Sequence, residues 1–178
     1  MKSSALNTHV ALKKALYSAI SITVAVALPW ICHLLGGALG VGSGLGEMLL
    51  PMHLPVMLAG LLWGSQVGFA AGLVSPLVSF ALTGMPGAMM LPFMTVELAV
   101  YGLTAGLLSR TKMPVLGKVL LTQVAGRAVR ALALAVAIYG FGFTGLPMAI
   151  VWTSITAGAV GILLQWVLVP VLCRESKR

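Results

Sequence analysis

Glu97 stands alone in MLPFMTVELAVYGLTAGLL, Met90 to Leu108, an otherwise apolar stretch. The chain holds three acidic residues in all, Glu47, Glu97 and Glu175. An ionised side chain at the centre of a bilayer costs about 2.5–3.5 kcal/mol, so it persists where it has a partner or a task. For Glu97 that partner is a cation, a proton or a ligand. Of the eleven Lys and Arg residues, Arg127 and Arg130 are the two that fall inside an apolar segment. Gln123, Arg127, Arg130 and Leu134 recur at helical spacing and share one face. Met94, Glu97 and Tyr101 share a face of the preceding helix in the same way. Helical side chains lean toward their own N-terminus, which tips Glu97 and the two arginines in opposite directions. Two readings stay open: a Glu97–Arg130 association, direct or through a ligand, with Arg127 in the same site, or an Arg127 that snorkels to the cytoplasmic surface.

A second polar feature is LPMHLPV, Leu50 to Val56, where His53 lies between two prolines. Proline is tolerated in a first helical turn. His53 therefore reads as an interfacial hydrogen-bonding residue or as a ligand contact, with Glu47 about one turn outside it. Trp152 and Trp166 are of a type that stacks on ligands and is also common at membrane interfaces. Other chemistries lack their residues. There is no G-x-x-x-x-G-K-[ST] loop and no H-E-x-x-H, and Asp is absent. No Cys and His cluster has metal-ligand spacing, so neither a metal nor another cofactor is expected. Ser75 and Ser79 have no histidine at triad spacing, and the chain is not expected to be an enzyme. Cys32 and Cys173 are assigned to opposite membrane faces, so no disulfide is expected between them.

The elements that position these residues follow from composition. The 178 residues are 60% hydrophobic and 8% charged, against roughly 25% charged in a soluble domain. A bilayer is the solvent that suits such a surface. Six spans are expected in one membrane domain over residues 1–178: approximately 14–35, 48–63, 66–82, 90–109, 118–141 and 146–172. An Ala25–Ala27 segment has the look of a signal-peptide cleavage site. The apolar run continues past it, which favours a first span instead. The basic residues flank the spans rather than forming a nucleic-acid patch. Placing both termini in the cytoplasm puts nine of eleven Lys and Arg on that side. The fold class is thus an all-α integral membrane protein of six transmembrane helices.

The outer loops are Gly36 to Glu47, rich in glycine, and Thr83 to Met90, which includes Met85. They read as flexible connectors or as lids over an outward-facing site. Gly60, Gly64, Gly68 and Gly72 recur every fourth residue, as do Gly102 and Gly106. Small residues at this spacing let helices approach closely in lipid. Ala11, Ala15 and Ala19 form a similar series that serves internal packing or faces another subunit.

Taken in order, MHLPVMLAGLLWG (Met52 to Gly64), LTGMP (Leu82 to Pro86), MTVELAVYGLTAGLL (Met94 to Leu108) and AGRAV (Ala125 to Val129) resemble the substrate-binding S component of energy-coupling factor (ECF) transporters, the bacterial vitamin importers. The resemblance covers about Ala11 to Leu172. It implies six helices in the bacterial plasma membrane that capture a micronutrient from outside, with loops one and three as lids. It implies a pocket formed by spans four to six that includes Glu97, Arg127, Arg130, Gln123 and Trp152. It also implies partners: a coupling transmembrane subunit, met by the Ala11, Ala15, Ala19 series, and two ATPases. The ligand would be a vitamin, and two arginines against one glutamate favour an anionic one such as pantothenate. The resemblance further implies that the whole subunit reorients in the membrane to deliver it. Two other classes remain: a self-sufficient oligomeric transporter or channel, and an assembly subunit without a ligand.

Overall fold

Chain breakers set the helix boundaries in the computed structural model, which describes residues 2–42 and 44–175. The side chains of residues 2–7, Glu47, Val151, Ser154 and Glu175 lie outside the description. Helix α1 spans Lys2–Ala38. It starts earlier than the expected first span because nothing between Lys2 and Lys14 interrupts a helix. A short α2 (Gly44–Leu49) follows, then α3 (His53–Trp63), α4 (Ser65–Thr83) and α5 (Leu91–Ser109). Helix α6 (Val115–Ala135) runs on into a π-helical turn, Val136–Gly140, and α7 (Ile150–Ala157) and α8 (Ala159–Glu175) complete the chain. No strand occurs among the described residues.

Four helical stretches have the length and apolarity to cross a membrane: Thr8–Ala38, Ser65–Thr83, Leu91–Ser109 and Val115–Gly140. Two shorter apolar helices, His53–Trp63 and Ala159–Arg174, accompany them. The expected second and sixth spans are both interrupted. The second breaks because the residue before a proline is driven out of the α region. Leu50 precedes Pro51 and takes a positive φ of 48°, so α2 ends at Leu49 and α3 begins afresh at His53. The sixth breaks at Gly158, between α7 and α8.

The centre of the molecule is α5, which packs against α3, α4 and α6. Glycines make the close approach possible. A Cβ on Gly68 would strike the backbone of Gly102, and one on Gly102 would strike the backbone of Gly68. Gly72 meets the backbone of Leu98 and Gly106 that of Ser65 in the same way. Gly64 departs from the series: it has φ 96° and open space around its Cβ position, and it turns the chain from α3 into α4. Val56, Met57, Val67, Ala71, Leu98, Tyr101 and Val119 fill the core between these helices. The outer surface is apolar, with Leu12, Leu34, Val124 and Val167 all exposed. That surface is at home in lipid.

The two ends of the bundle differ. At one end Lys14 donates to Gln66 Oε1 at 2.7 Å, joining α1 to the start of α4, and Tyr17 stacks on Trp63 at 4.9 Å. Gly106 of α5 reaches Ser65 at this same end, so the basic turn from Arg110 to Lys118 lies here too. Lys118 Nζ caps the end of α5 by donating to the Ser109 and Thr111 carbonyls, each at 3.0 Å. The opposite end holds the last turns of α1 and α4, the first turns of α3 and α5, and α2.

Candidate functional site

Glu97 is fully buried in the first half of α5, and three nitrogen-bearing side chains converge on it. Arg130 of α6 donates from Nη1 to Glu97 Oε2 at 3.0 Å. Arg127, one turn away on the same helix, brings its Nε to 3.3 Å from Oε1. His53, the first residue of α3, places Nε2 at 3.5 Å from Oε1. Arg127 thus turns into the bundle and does not snorkel. A buried cation left without a counter-charge would cost several kcal/mol, and Glu97 is the anion within reach. Antiparallel packing of α5 and α6 explains the geometry: long arginine side chains span the interval that their opposite lean leaves.

Tyr101, one turn below Glu97, supports the cluster from beneath. Its ring meets the His53 imidazole edge-on, with centroids 4.9 Å apart and an interplanar angle of 79°. Gly126 leaves room for that ring, since a Cβ there would collide with it. Tyr101 is 1% exposed and does not reach the cavity wall.

Above the cluster lies a cavity of about 470 Å³ at the end of the bundle away from the basic turn. Its size falls within the ~300–1,000 Å³ range of small-molecule sites. His53, Arg127 and Arg130 form its polar floor. His33 and Pro29 of α1, Ser79 of α4 and Thr153 of α7 contribute to the sides. Met52, Met85, Met90 and Met94 supply much of the remaining wall. Arg130 Nη2 also lies 3.5 Å from Met90 Sδ, joining the floor to the first turn of α5. No metal-binding group of His, Cys, Asp or Glu side chains occurs among the described residues.

The residues singled out in the sequence are distributed as follows. Glu97, Arg127, Arg130, His53 and Tyr101 come together. Met85 lines the cavity from the loop after α4. Glu47 lies on α2 with its side chain outside the described residues, while its neighbour Gly46 lines the cavity. Gln123 is buried but does not reach the cavity. Its amide donates to Gln165 Oε1 at 3.0 Å and accepts from Trp166 Nε1 at 2.8 Å, tying α6 to α8. Trp152 is 72% exposed and stands apart, because α7 turns Ile150, Thr153 and Ala157 toward the cavity instead. His33, Thr153, Met52 and Met90 were missed, as was any part for Ser79 in a pocket. The signal available for His33 was a histidine inside an apolar run, the same signal that marked His53.

A family model, the substrate-specific component of ECF transporters, matches residues 13–173. The chain belongs to that family. No curated protein and no solved structure matches it significantly. An ECF substrate-specific component binds a small molecule and works with an ECF module, and it is not an enzyme. The cavity and the apolar exterior agree with a substrate-binding protein that resides in a membrane.

Proposed function

We propose that this S component captures a small anionic micronutrient, in the class that includes pantothenate, in the cavity over Glu97. The observation that carries this reading is the charge arrangement. Arg127 and Arg130 line the cavity, whereas Glu97, the carboxylate that both contact, lies behind them and out of the lining. The floor thus presents guanidinium groups to the cavity, in a low-dielectric setting where a charge-assisted hydrogen bond to carboxylate or phosphate is strong.

The delivery route follows from the two ends of the bundle. The basic end faces the cytoplasm by the positive-inside rule, so both termini are inside and the cavity opens outward. In this topology α2 with α3, and α7 with α8, serve as the second and sixth crossings, and the membrane is the bacterial plasma membrane. Ala11, Ala15 and Ala19 are exposed on α1. They form the docking strip for a coupling transmembrane subunit, which two ATPases drive. The strip lies toward the basic end, where that module would act.

Calorimetric titration of the purified protein with a vitamin panel that includes pantothenate tests the reading. One anionic member is expected to bind at a single site, and Arg130→Gln is expected to weaken it at least tenfold. Binding confined to neutral or cationic compounds would overturn it.

A further inference from the structure

Helix α2 is six residues long and walls part of the cavity through Gly46, with Leu50 following just past its end. A helix this short does not hold itself together, because its first turn fixes several residues for a single bond. Its place therefore comes from its neighbours, α1, α7 and α8. Three glycines make those contacts. Gly46 leaves room for the His33 imidazole of α1, since a Cβ there would lie 3.0 Å from Nε2. At Gly158, between α7 and α8, a Cβ would lie 2.8 Å from Leu50 Cδ1. At Gly161 of α8 a Cβ would strike the Leu49 carbonyl and lie 2.9 Å from the Met48 carbonyl oxygen. Gly158 and Gly161 are buried, and neither lines the cavity. The contact at Gly161 is main chain on main chain, so no rotamer there can swing aside.

Leu50 points the same way. Its φ of 48° is the sole positive value at a non-glycine among the described residues. Such backbone strain persists where the surroundings over-determine it. Here the recess at Gly158 receives the Leu50 side chain and Pro51 follows directly.

The loop of residues 84–90 is built differently. Met85, Pro86 and Gly87 line the cavity, yet the Cβ positions of Gly84 and Gly87 meet open space. Its hydrogen bonds are local: the Met85 amide donates to Thr83 Oγ1 at 3.2 Å and the Met90 amide to the Gly87 carbonyl at 2.9 Å. Met89 reaches toward Gly145 with the sulfur of a flexible side chain.

We infer that α2 is a fixed wall of the cavity, seated on α8 by Gly158 and Gly161 as positioning residues, and that the 84–90 loop is the part that yields when a solute enters. This holds whatever the ligand is.

Hydrogen exchange of the full chain in lipid nanodiscs, without ligand, tests the seat. The Met48 and Leu49 amides, in the last turn of α2, should exchange at least tenfold more slowly than the Met85 amide. Gly161→Ala should cut that protection at least fivefold and leave the Met85 amide unchanged. Gly158→Ala, which meets the Leu50 side chain and no main chain, provides a second variant that folds more readily, with a loss in the same direction. Wild-type α2 amides as fast as Met85, or protection that survives both substitutions, would overturn the seat. Ser79→Cys then reports entry, since Ser79 lines the cavity. Labelling of that site by a small anionic thiosulfonate, relative to a free thiol, should show the cavity open at least tenfold more often than exchange shows α2 open. Met85→Ala should speed the labelling at least threefold. Labelling no more frequent than α2 opening would make α2 the moving part and overturn the fixed wall. Labelling unchanged in Met85→Ala would overturn the part given to the 84–90 loop.

Discussion

Glu97 shares its charge with protein groups alone, and this makes it the residue on which the floor of the cavity depends. Replacing it with glutamine leaves Arg127 and Arg130 facing each other with no anion between them. Breaking a buried ion pair on one side costs about 3–5 kcal/mol. Glu97→Gln is therefore expected to lower the thermal midpoint of the ligand-free protein markedly, and an anionic ligand should recover part of the loss by taking the carboxylate's place. A variant that unfolds at the wild-type midpoint would show that the carboxylate does not hold the arginines. Much of this cluster was legible in the sequence, because charge inside an apolar run is costly and so points to itself. Which way Arg127 turned was not legible, since its side chain is long enough to reach either water or Glu97. The methionine wall was legible only in part: Met85 lies on a loop singled out in the sequence and Met94 shares the Glu97 face, but Met52 and Met90 read as ordinary lipid-compatible residues until the fold places them on the cavity. Trp152 shows the reverse case, where a conspicuous residue type drew attention that its position on α7 does not support.

Helix contacts in this protein are made by absence of side chains. Gly68 and Gly102 lie backbone to backbone, and the obstacle to a Cβ at either is main chain that has no rotamer to yield. Gly102→Ala is expected to push α4 and α5 apart and to cost about 1–3 kcal/mol or more. Gly64→Ala should cost about 1–3 kcal/mol through its positive-φ extended backbone alone (φ 96°, ψ 174°), with the helix contact intact. Thermal unfolding with and without ligand separates the two, because moving α5 also moves Glu97 and weakens binding, whereas straining the α3–α4 turn does not. A Gly102→Ala variant with wild-type stability would contradict the packing described here. The spacing of these glycines was readable in advance, but the role of Gly64 was not: a fourfold repeat does not tell a contact from a turn. The interruptions at Leu50 and Gly158 were also available in principle. Pro51 forbids α geometry just before it, yet hydropathy continues unbroken through both points and hides them.

At the scale of the whole molecule, the ligand site and the exposed alanine strip occupy different parts of the same 37-residue helix. Pro29 and His33 line the cavity, while Ala11, Ala15 and Ala19 are exposed roughly three turns or more earlier. Leucine at Ala15 is expected to abolish co-purification with the coupling subunit and leave ligand affinity and thermal stability unchanged. Lost ligand affinity in Ala15→Leu would mean that the strip serves the fold instead. The separation of a basic end from a cavity end was legible from charge positions, because the rule that sorts Lys and Arg across a membrane does not depend on tertiary contacts. The convergence of helices on one cavity was not, because it is set by packing between segments far apart in sequence. The cavity draws residues from α1 through α7, from Pro29 to Ala157. During synthesis, then, no chain that stops short of Ala157 carries the whole wall: the cavity is complete only once the seventh helix has seated, so its closure is itself a signature of that helix's insertion.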